Sequence, residues 1–250
     1  MHESTSEQSQ ISRARAAGFF WLITFITGAF AMYIGGSLVV NGNAAATAAN
    51  VLGNESAFRI GVAGNLVATI CYLLATILVY KLLKPVNSTL SLAAAVFSLL
   101  GCAAGAVVTL LNFAPLALLK GAAHLGVFTT EQLQALALTS FSLGMRANEV
   151  GLVFFGLHIG IVGYLILTSA LVPRVLGVLL MIGGLCYVLQ SFASFLAAPF
   201  ATSLFPVILM PAFFAELALT LWFLVKGVKV RRGASSGDPA SSHALAPSLT

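Results

Sequence analysis

Six long apolar runs dominate this sequence and decide what kind of fold it can adopt. Each run is close to or above the roughly 20 residues that an α-helix needs to cross the hydrocarbon core of a bilayer. Because lipid offers backbone amides no hydrogen-bond partners, such segments are expected to be helical. The runs occupy residues 17–40, 60–81, 90–119, 147–169, 173–198 and 204–226.

The composition excludes a soluble domain and a nucleic-acid-binding module. Only 8% of the residues are charged, against about 25% in soluble proteins. The net charge of +5 does not indicate nucleic-acid binding, because the Lys and Arg residues lie scattered at the ends of apolar runs. The sequence therefore predicts an all-α, polytopic membrane bundle of six transmembrane helices, with the lipid bilayer as its surroundings.

Polar segments flank this bundle at both ends of the chain. Residues 1–16 are mostly polar, and residues 233–250 consist largely of small and polar residues. Such segments cannot bury enough apolar surface to offset the entropy lost on ordering. The sequence thus predicts disordered tails over 1–16 and 233–250 around a transmembrane domain at 17–232.

The basic residues predict that both termini are cytoplasmic. Cytoplasmic loops of membrane proteins carry an excess of Lys and Arg. With the N-terminus inside, nine of the twelve Lys and Arg residues lie on the cytoplasmic side and three lie outside. The nine are Arg13, Arg15, Lys81, Lys84, Arg174, Lys226, Lys229, Arg231 and Arg232.

Two extracytoplasmic connections are predicted to contain short helices that lie in the membrane interface. In the first, Asn43 is suited to cap an Ala-rich helix that ends at Gly53. In the second, Thr129 and Gln132 match a capping box. A packed loop helix is the simpler interpretation of each, and a gate or lid is the alternative.

Two ionisable residues are predicted to lie near the middle of the membrane. Glu216 is twelve residues into the sixth run and His158 is twelve residues into the fourth, which is about 18 Å at 1.5 Å per residue. Ionisable side chains are costly within a bilayer and indicate a functional site by default. Their shared depth predicts a site that binds or translocates a proton, a small solute or a lipid, with Glu216 as the protonatable centre.

A purely structural interpretation of both residues competes with this hypothesis. Glu216 could be protonated and hydrogen-bonded, or could form an ion pair with Arg59 or Arg146. A neutral His158 could simply bond to a backbone or side-chain partner.

Charged residues at the outer mouth form a second candidate group. Arg59 is predicted to contact an anionic ligand or to balance the charge of Glu216. Arg146 and Glu149 are three residues apart, so they are predicted to pair on a helix. A cationic mouth could attract an anionic substrate or a lipid headgroup, whereas snorkelling to the interface explains the same positions.

Two further functions stay open from the sequence. Cys71 and Cys186 fall at the same depth as His158 and Glu216, and thiolate, imidazole and carboxylate groups all bind zinc. An intramembrane metal- or cofactor-dependent enzyme is therefore one alternative, although these residues lack the short spacings of zinc sites, and no cofactor is predicted. A non-catalytic accessory or sensor subunit, in which polar groups only join helices, is the other.

Glycines and prolines indicate how the helices pack. The GxxxG pairs Gly101–Gly105 and Gly156–Gly160 predict close contacts between helices. Pro199, Pro206 and Pro211 predict a broken entry into the sixth run, because proline lacks the amide that continues a helix.

Five segments of the chain carry a family resemblance. They read ATAANVLGNESAFRIG, YKLLKPVNSTL, GLVFFGLHIGIVGYLI, PRVLGVLLMIGGLCYVLQSF and AELALTLWFLVKGV. Over about residues 13–230 the sequence resembles the bacterial integral membrane family of the domain of unknown function 4386, whose pattern includes positions matching Arg59, His158 and Glu216. It departs from that pattern at Gln190, where several members carry an acidic residue. The resemblance implies a protein of the bacterial cytoplasmic membrane and supplies no activity.

Overall fold

A computed structural model describes residues 2–121, 125–169 and 171–229, with side chains from residue 7 onward. Six of its helical segments are long and apolar enough to cross a membrane, which confirms the predicted all-α bundle of six spans. The α-helices are α1 (His2–Leu38), α2 (Ala44–Gly53), α3 (Glu55–Leu83), α4 (Ser88–Leu119), α5 (Thr130–Ser169), α6 (Arg174–Leu196), α7 (Ala198–Leu204) and α8 (Met210–Val225). A 3-10 turn, Val207–Leu209, leads into α8 and completes the sixth span.

The six membrane-length helices form a closed ring in which each helix packs against two neighbours. The order around the ring is α1, α3, α4, α5, α6 and α8, and α8 closes the ring against α1. Every one of these helices contributes buried apolar side chains to a common core, among them Ala17, Val79, Ala94, Leu165, Leu180 and Leu219. The ring therefore has an interior in which side chains from non-sequential helices meet.

Different contacts hold the two ends of the ring. We call the end of the ring that contains the N-terminus the N-terminal end. There the amide of Lys229 donates to the carbonyl of Leu171 at 2.8 Å, so the segment that follows α8 lies beside the connection between α5 and α6. At the opposite end, which we call the far end, the rings of Phe58 and Phe141 meet edge to face with centroids 6.2 Å apart.

The outer surface of the ring is apolar, as a bilayer requires. Many large aliphatic and aromatic side chains point away from the core, for example Ile26, Ile70, Leu99, Leu110, Ile182 and Phe214. In water such a surface would mark an aggregation-prone face, whereas lipid chains solvate it without cost.

The first helix begins earlier than the sequence predicts. The predicted disordered tail over residues 1–16 needs correction, because α1 starts at His2. Ala14 is completely buried, and a Cβ added at Gly227 would lie 3.0 Å from the side chain of Ile11. A narrow apolar stripe inside a polar segment therefore packs on the residues that follow α8. The tail predicted over 233–250 lies outside the described residues.

The second predicted interfacial helix is part of a membrane span. Thr129 and Gln132 do form a capping box, in which the Thr129 amide donates to Gln132 Oε1 at 2.9 Å and the Gln132 amide donates to Thr129 Oγ1 at 3.3 Å. The helix that they begin, α5, continues without a break to Ser169. Its 40 residues span about 60 Å. Arg146 and Glu149, which the sequence places at the outer mouth, therefore lie within one continuous helix.

The first predicted short helix exists as α2. The Ala46 amide donates to the Asn43 side chain at 2.9 Å, and the helix ends at Gly53 as predicted. The side chain of Asn50 then donates to the Leu38 carbonyl at 3.2 Å. These bonds fold α2 back against the end of α1.

Replacing Asn43 with alanine should lower stability by about 1 kcal/mol, because the Ala46 amide loses its acceptor. The expected measurement is a lower thermal midpoint of the protein in mild detergent. Asn41→Ala, two residues away in the exposed turn, should leave the midpoint unchanged. Equal losses in the two variants would contradict the cap.

The entry into the last span is broken, as the prolines predict. After α6 the chain forms α7, a seven-residue helix, and then the 3-10 turn before α8 begins. Pro199 and Pro211 each stand in the first turn of a helix, where a missing amide costs nothing. The break places α7 across the far end of α5 and α6.

Candidate functional site

A small cavity lies at the centre of the ring. Its volume is about 10 Å³, and both His158 and Glu216 line it. A cavity of about 10–15 Å³ holds one water molecule. The remaining lining residues are Trp21, Ile159, Val162, Leu180 and Leu219. The structure therefore brings together the two midplane residues that the sequence relates only by depth.

The orientation of His158 defines which ring nitrogen is basic. The side chain is 1% exposed, and its Nδ1 lies 2.8 Å from the carbonyl oxygen of Ala94 on α4. Because a carbonyl oxygen only accepts, Nδ1 carries the proton. In the neutral ring Nε2 is then the acceptor, and it is buried without a hydrogen-bond partner among the described residues. One basic nitrogen is thus held in the core beside the cavity.

Glu216 lies at the middle of the last span. Nine residues separate it from each end of the span Val207–Val225. Its carboxyl group neighbours the phenol of Tyr187 on α6. A carboxylate at this depth is costly unless polar groups surround it. The Tyr187 phenol supplies one such polar group.

Two further polar atoms of the ring interior are buried without a partner among the described residues, namely the indole nitrogen of Trp21 and the hydroxyl of Thr220. Trp21 lines the cavity, whereas Thr220 does not. The indole of Trp21 stacks on Phe223, with ring centroids 5.9 Å apart and an interplanar angle of 11°.

Arg59 belongs to a different part of the molecule. Its Nε lies 2.8 Å from the Glu55 carboxylate, and Lys120 Nζ lies 2.7 Å from the same group. The Arg59 side chain is half exposed and lies over the ring of Phe113, 5.9 Å from its centroid. Glu55, rather than Glu216, balances the charge of Arg59, so the predicted contact between Arg59 and the midplane site needs correction.

A larger cavity lies at the far end, where α5, α6 and α7 meet. It has a volume of about 330 Å³, and Arg146 and Glu149 both line it. These two side chains do not pair with each other as predicted. Arg146 Nη1 donates instead to the Ser194 carbonyl at 3.2 Å, while Glu149 lies beside the side chains of Ser194 and Gln190.

The alternative metal site does not assemble. Among the described residues, no group of three or more His, Cys, Asp and Glu side chains could hold a metal ion. Cys71, Cys186, His158 and Glu216 share a depth, but equal depth does not bring side chains on different helices to the same point. The enzyme hypothesis thereby loses the ligands on which it was built.

Comparisons with known proteins agree with this architecture. The profile of the family described as Domain of unknown function (DUF4386) matches residues 16–227. The chain belongs to the DUF4386 family. Over 107 residues it is 29% identical to an uncharacterized protein of Archaeoglobus fulgidus, a match that covers 43% of this chain and 60% of that protein. The chain therefore spans about 60% of the length of this curated relative. No solved structure matches the chain.

Membership of the DUF4386 family carries no activity, so the site itself must indicate function. Trp21 and Tyr187 are absent from the sequence prediction of this site. Trp and Tyr usually lie at the two membrane interfaces, whereas Tyr187 lies near the middle of its span. That displacement could have found Tyr187, since a buried phenol needs a polar partner. Trp21 stands four residues into the first apolar run, an ordinary position for an interfacial tryptophan, so the sequence gives no signal for it.

Proposed function

We propose that this DUF4386 chain is a multi-pass membrane protein that takes up and releases a proton at Glu216 and His158 as it binds or translocates a small solute. One observation carries the proposal: Glu216 and His158 line one water-sized cavity in the ring interior, and Nε2 of His158 is buried without a hydrogen-bond partner among the described residues. A carboxyl group and a basic nitrogen beside one cavity can exchange a proton through one water.

The chemistry of the two groups supports a relay rather than a static ion pair. His158 already uses Nδ1 on Ala94, so its only change of state is protonation at Nε2. Glu216 can lose a proton to that nitrogen, which then carries it as an imidazolium, and can regain it when Nε2 releases it. Intramembrane Glu and His residues in such arrangements are typical of proton pathways.

The proposed location is the bacterial cytoplasmic membrane, with both termini in the cytoplasm. The excess of basic residues in the segments at the N-terminal end supports this orientation. In the proposed orientation the far end, with its 330 Å³ cavity, faces the outside of the cell. Reporter fusions at the C-terminus and within the connection after α4 would test the orientation, since only an outward-facing connection yields active alkaline phosphatase.

The decisive experiment is an infrared titration of the protein in mild detergent. A buried protonated carboxyl gives a C=O stretching band that disappears on deprotonation. We expect a band of Glu216 to titrate in the wild type and to be absent in Glu216→Gln, while Glu149→Gln identifies any band from the carboxyl of Glu149, whose Oε2 is also buried. In His158→Gln the Glu216 band should remain but shift in frequency, because the cavity beside the carboxyl has lost its basic nitrogen.

Matched variants separate this function from a merely structural role. Glu131→Gln removes an exposed carboxylate and should leave the titrating band intact. The relay would be contradicted if Glu216→Gln removes no titrating band, or if His158→Gln does not shift the band that Glu216→Gln removes. A complete lack of titration together with co-purification of another membrane protein would favour the accessory-subunit hypothesis.

A further inference from the structure

The 330 Å³ cavity at the far end has the dimensions and lining of a ligand site. Small-molecule sites have volumes of about 300–1,000 Å³ and combine apolar walls with a few convergent polar groups. Here the polar side chains line the wall formed by α5 and α6, and small or apolar residues contributed largely by α7 line much of the rest. The lining consists of Ser142, Met145, Arg146, Glu149, Gln190, Ser194, Ala198, Ala201, Thr202 and Phe205.

Two buried acceptor atoms in this lining have no partner. Gln190 is 3% exposed, and its Oε1 is unpaired among the described residues, as is Oε2 of Glu149. A buried polar atom without a hydrogen bond costs about 1–3 kcal/mol. Two cavity-lining residues with unsatisfied oxygens favour a ligand that brings N–H donors, and the carboxylate of Glu149 favours a cationic one.

A positively charged side chain also lines the cavity and can bind an anionic group of a ligand. The guanidinium of Arg146 lines it, and one of its nitrogens is held by the Ser194 carbonyl at 3.2 Å. Arg146 retains further N–H donors. Glu149 and Arg146 are thus separate opposite charges on one cavity wall, which is complementary to a zwitterion.

We propose that this cavity binds a small free zwitterion that carries a primary ammonium and a carboxylate, as an α-amino acid does. The ammonium contacts Glu149 and Gln190, the carboxylate contacts Arg146, and an apolar side group lies against Met145 and Phe205. This assignment does not depend on the proton site, since it uses none of the residues that line the central cavity.

The depths of Glu149 and Arg146 in the membrane favour a free zwitterion over a phosphoethanolamine headgroup as the ligand. Along α5, Glu149 lies nine residues from His158 and Arg146 lies twelve, or about 14 and 18 Å further out. The half-thickness of the hydrocarbon core is about 15 Å. With His158 at its predicted midplane depth, Glu149 is at the hydrocarbon boundary and Arg146 beyond it. In a phospholipid the phosphate lies nearer the hydrocarbon than the ammonium, which is the reverse of this order.

The test is a thermal-stability screen of the full chain in mild detergent. The probes are the standard α-amino acids, with butylamine, butyrate and dihexanoyl phosphatidylethanolamine at matched concentrations. We expect at least one amino acid with an apolar side chain to raise the thermal midpoint in a saturable manner. Butylamine and butyrate, which each carry one charge, should need at least tenfold higher concentrations for the same shift.

Variants of the cavity wall then assign the effect to this site. Glu149→Gln and Arg146→Gln should each raise the half-saturating concentration at least tenfold. The exposed-charge controls Glu131→Gln and Arg15→Gln should not change it. If the charge variants fail to fold, Ala198→Leu provides a second test, because Ala198 is exposed and a larger side chain there fills the cavity without entering the ring.

Several outcomes would overturn the proposal. They are a lack of any shift with every amino acid, a shift that persists unchanged in Glu149→Gln or Ala198→Leu, and an equal shift with butylamine alone. Stabilisation by dihexanoyl phosphatidylethanolamine alone would reassign the cavity to a lipid headgroup. The proton site is tested by the infrared band of Glu216 without ligand and this site by the ligand-induced shift of the thermal midpoint, so failure of the one and failure of the other are distinguishable.

Discussion

Gly156→Ala is expected to destabilise the bundle by about 1–3 kcal/mol, the usual cost of adding a methyl group to a filled core. A Cβ at Gly156 would lie 2.6 Å from the carbonyl oxygen of Gly184 and 2.8 Å from the side chain of Val188. The first of these atoms belongs to the backbone of α6 and cannot rotate away. The two helices must therefore move apart beside His158, and the expected readout is a lower thermal midpoint with less monodisperse protein after mild heating.

Gly160→Ala, one turn further along the same helix, is the matched control. A Cβ at Gly160 would meet nothing within 4 Å. Alanine is a better helix former than glycine by about 1 kcal/mol. The midpoint of Gly160→Ala should therefore stay the same or rise. If both variants lose stability equally, close contact between α5 and α6 is not what excludes a side chain at Gly156.

Trp21→Ala is expected to cost about 3–5 kcal/mol, as for other buried aromatic residues replaced by alanine. The indole is 6% exposed, stacks on Phe223 and lies 6.3 Å from the ring of Tyr72, centroid to centroid. Its removal leaves a space that lipid cannot reach, because it lies inside the ring. Thermal unfolding in detergent should show the largest loss among single alanine substitutions in α1.

Two variants define what Trp21 contributes. Trp21→Phe keeps an aromatic ring against Phe223 and removes only the N–H, so most of the stability should return while the titration of Glu216 changes. Ile26→Ala, at a side chain 61% exposed on the same helix, should change stability by no more than about 0.5 kcal/mol. A large loss in Ile26→Ala would mean that α1 presents a different face to the core.

Part of the midplane site could be predicted from the sequence. Glu216 and His158 are conspicuous because ionisable side chains are rare in apolar runs, and their depth follows from counting residues along a helix. Arg59 is equally conspicuous, yet its partner is Glu55, one turn before it on α3. An ion pair with a nearby carboxylate at the surface needs less desolvation than one with a distant buried carboxylate. The positions of the apolar runs do not show which of the two carboxylates Arg59 pairs with.

The face that each helix turns to the ring interior could not be predicted. Cys71 and Cys186 lie at the same depth as Glu216 and His158, but the four do not form one group. Trp21, Tyr187 and Thr220 do reach the interior, because the ring order α1, α3, α4, α5, α6, α8 brings α1 and α6 beside α8. That order depends on which surfaces pack most closely, and the glycine contacts between α5 and α6 are part of it.

The amino-acid sequence by itself determined the number of spans, their helical state, the caps at Asn43 and Thr129 and the positions of Glu216 and His158 along their helices. Each of these follows from local physics, since lipid leaves a backbone only its own hydrogen bonds and a helix rises by a constant 1.5 Å per residue. Only the tertiary structure decided that α1 begins in the polar segment, that α5 is continuous past Arg146, and that cavities lie beside Glu216 and between α5, α6 and α7. Those features depend on contacts between segments far apart in the chain, where the best packing of many side chains at once selects the arrangement.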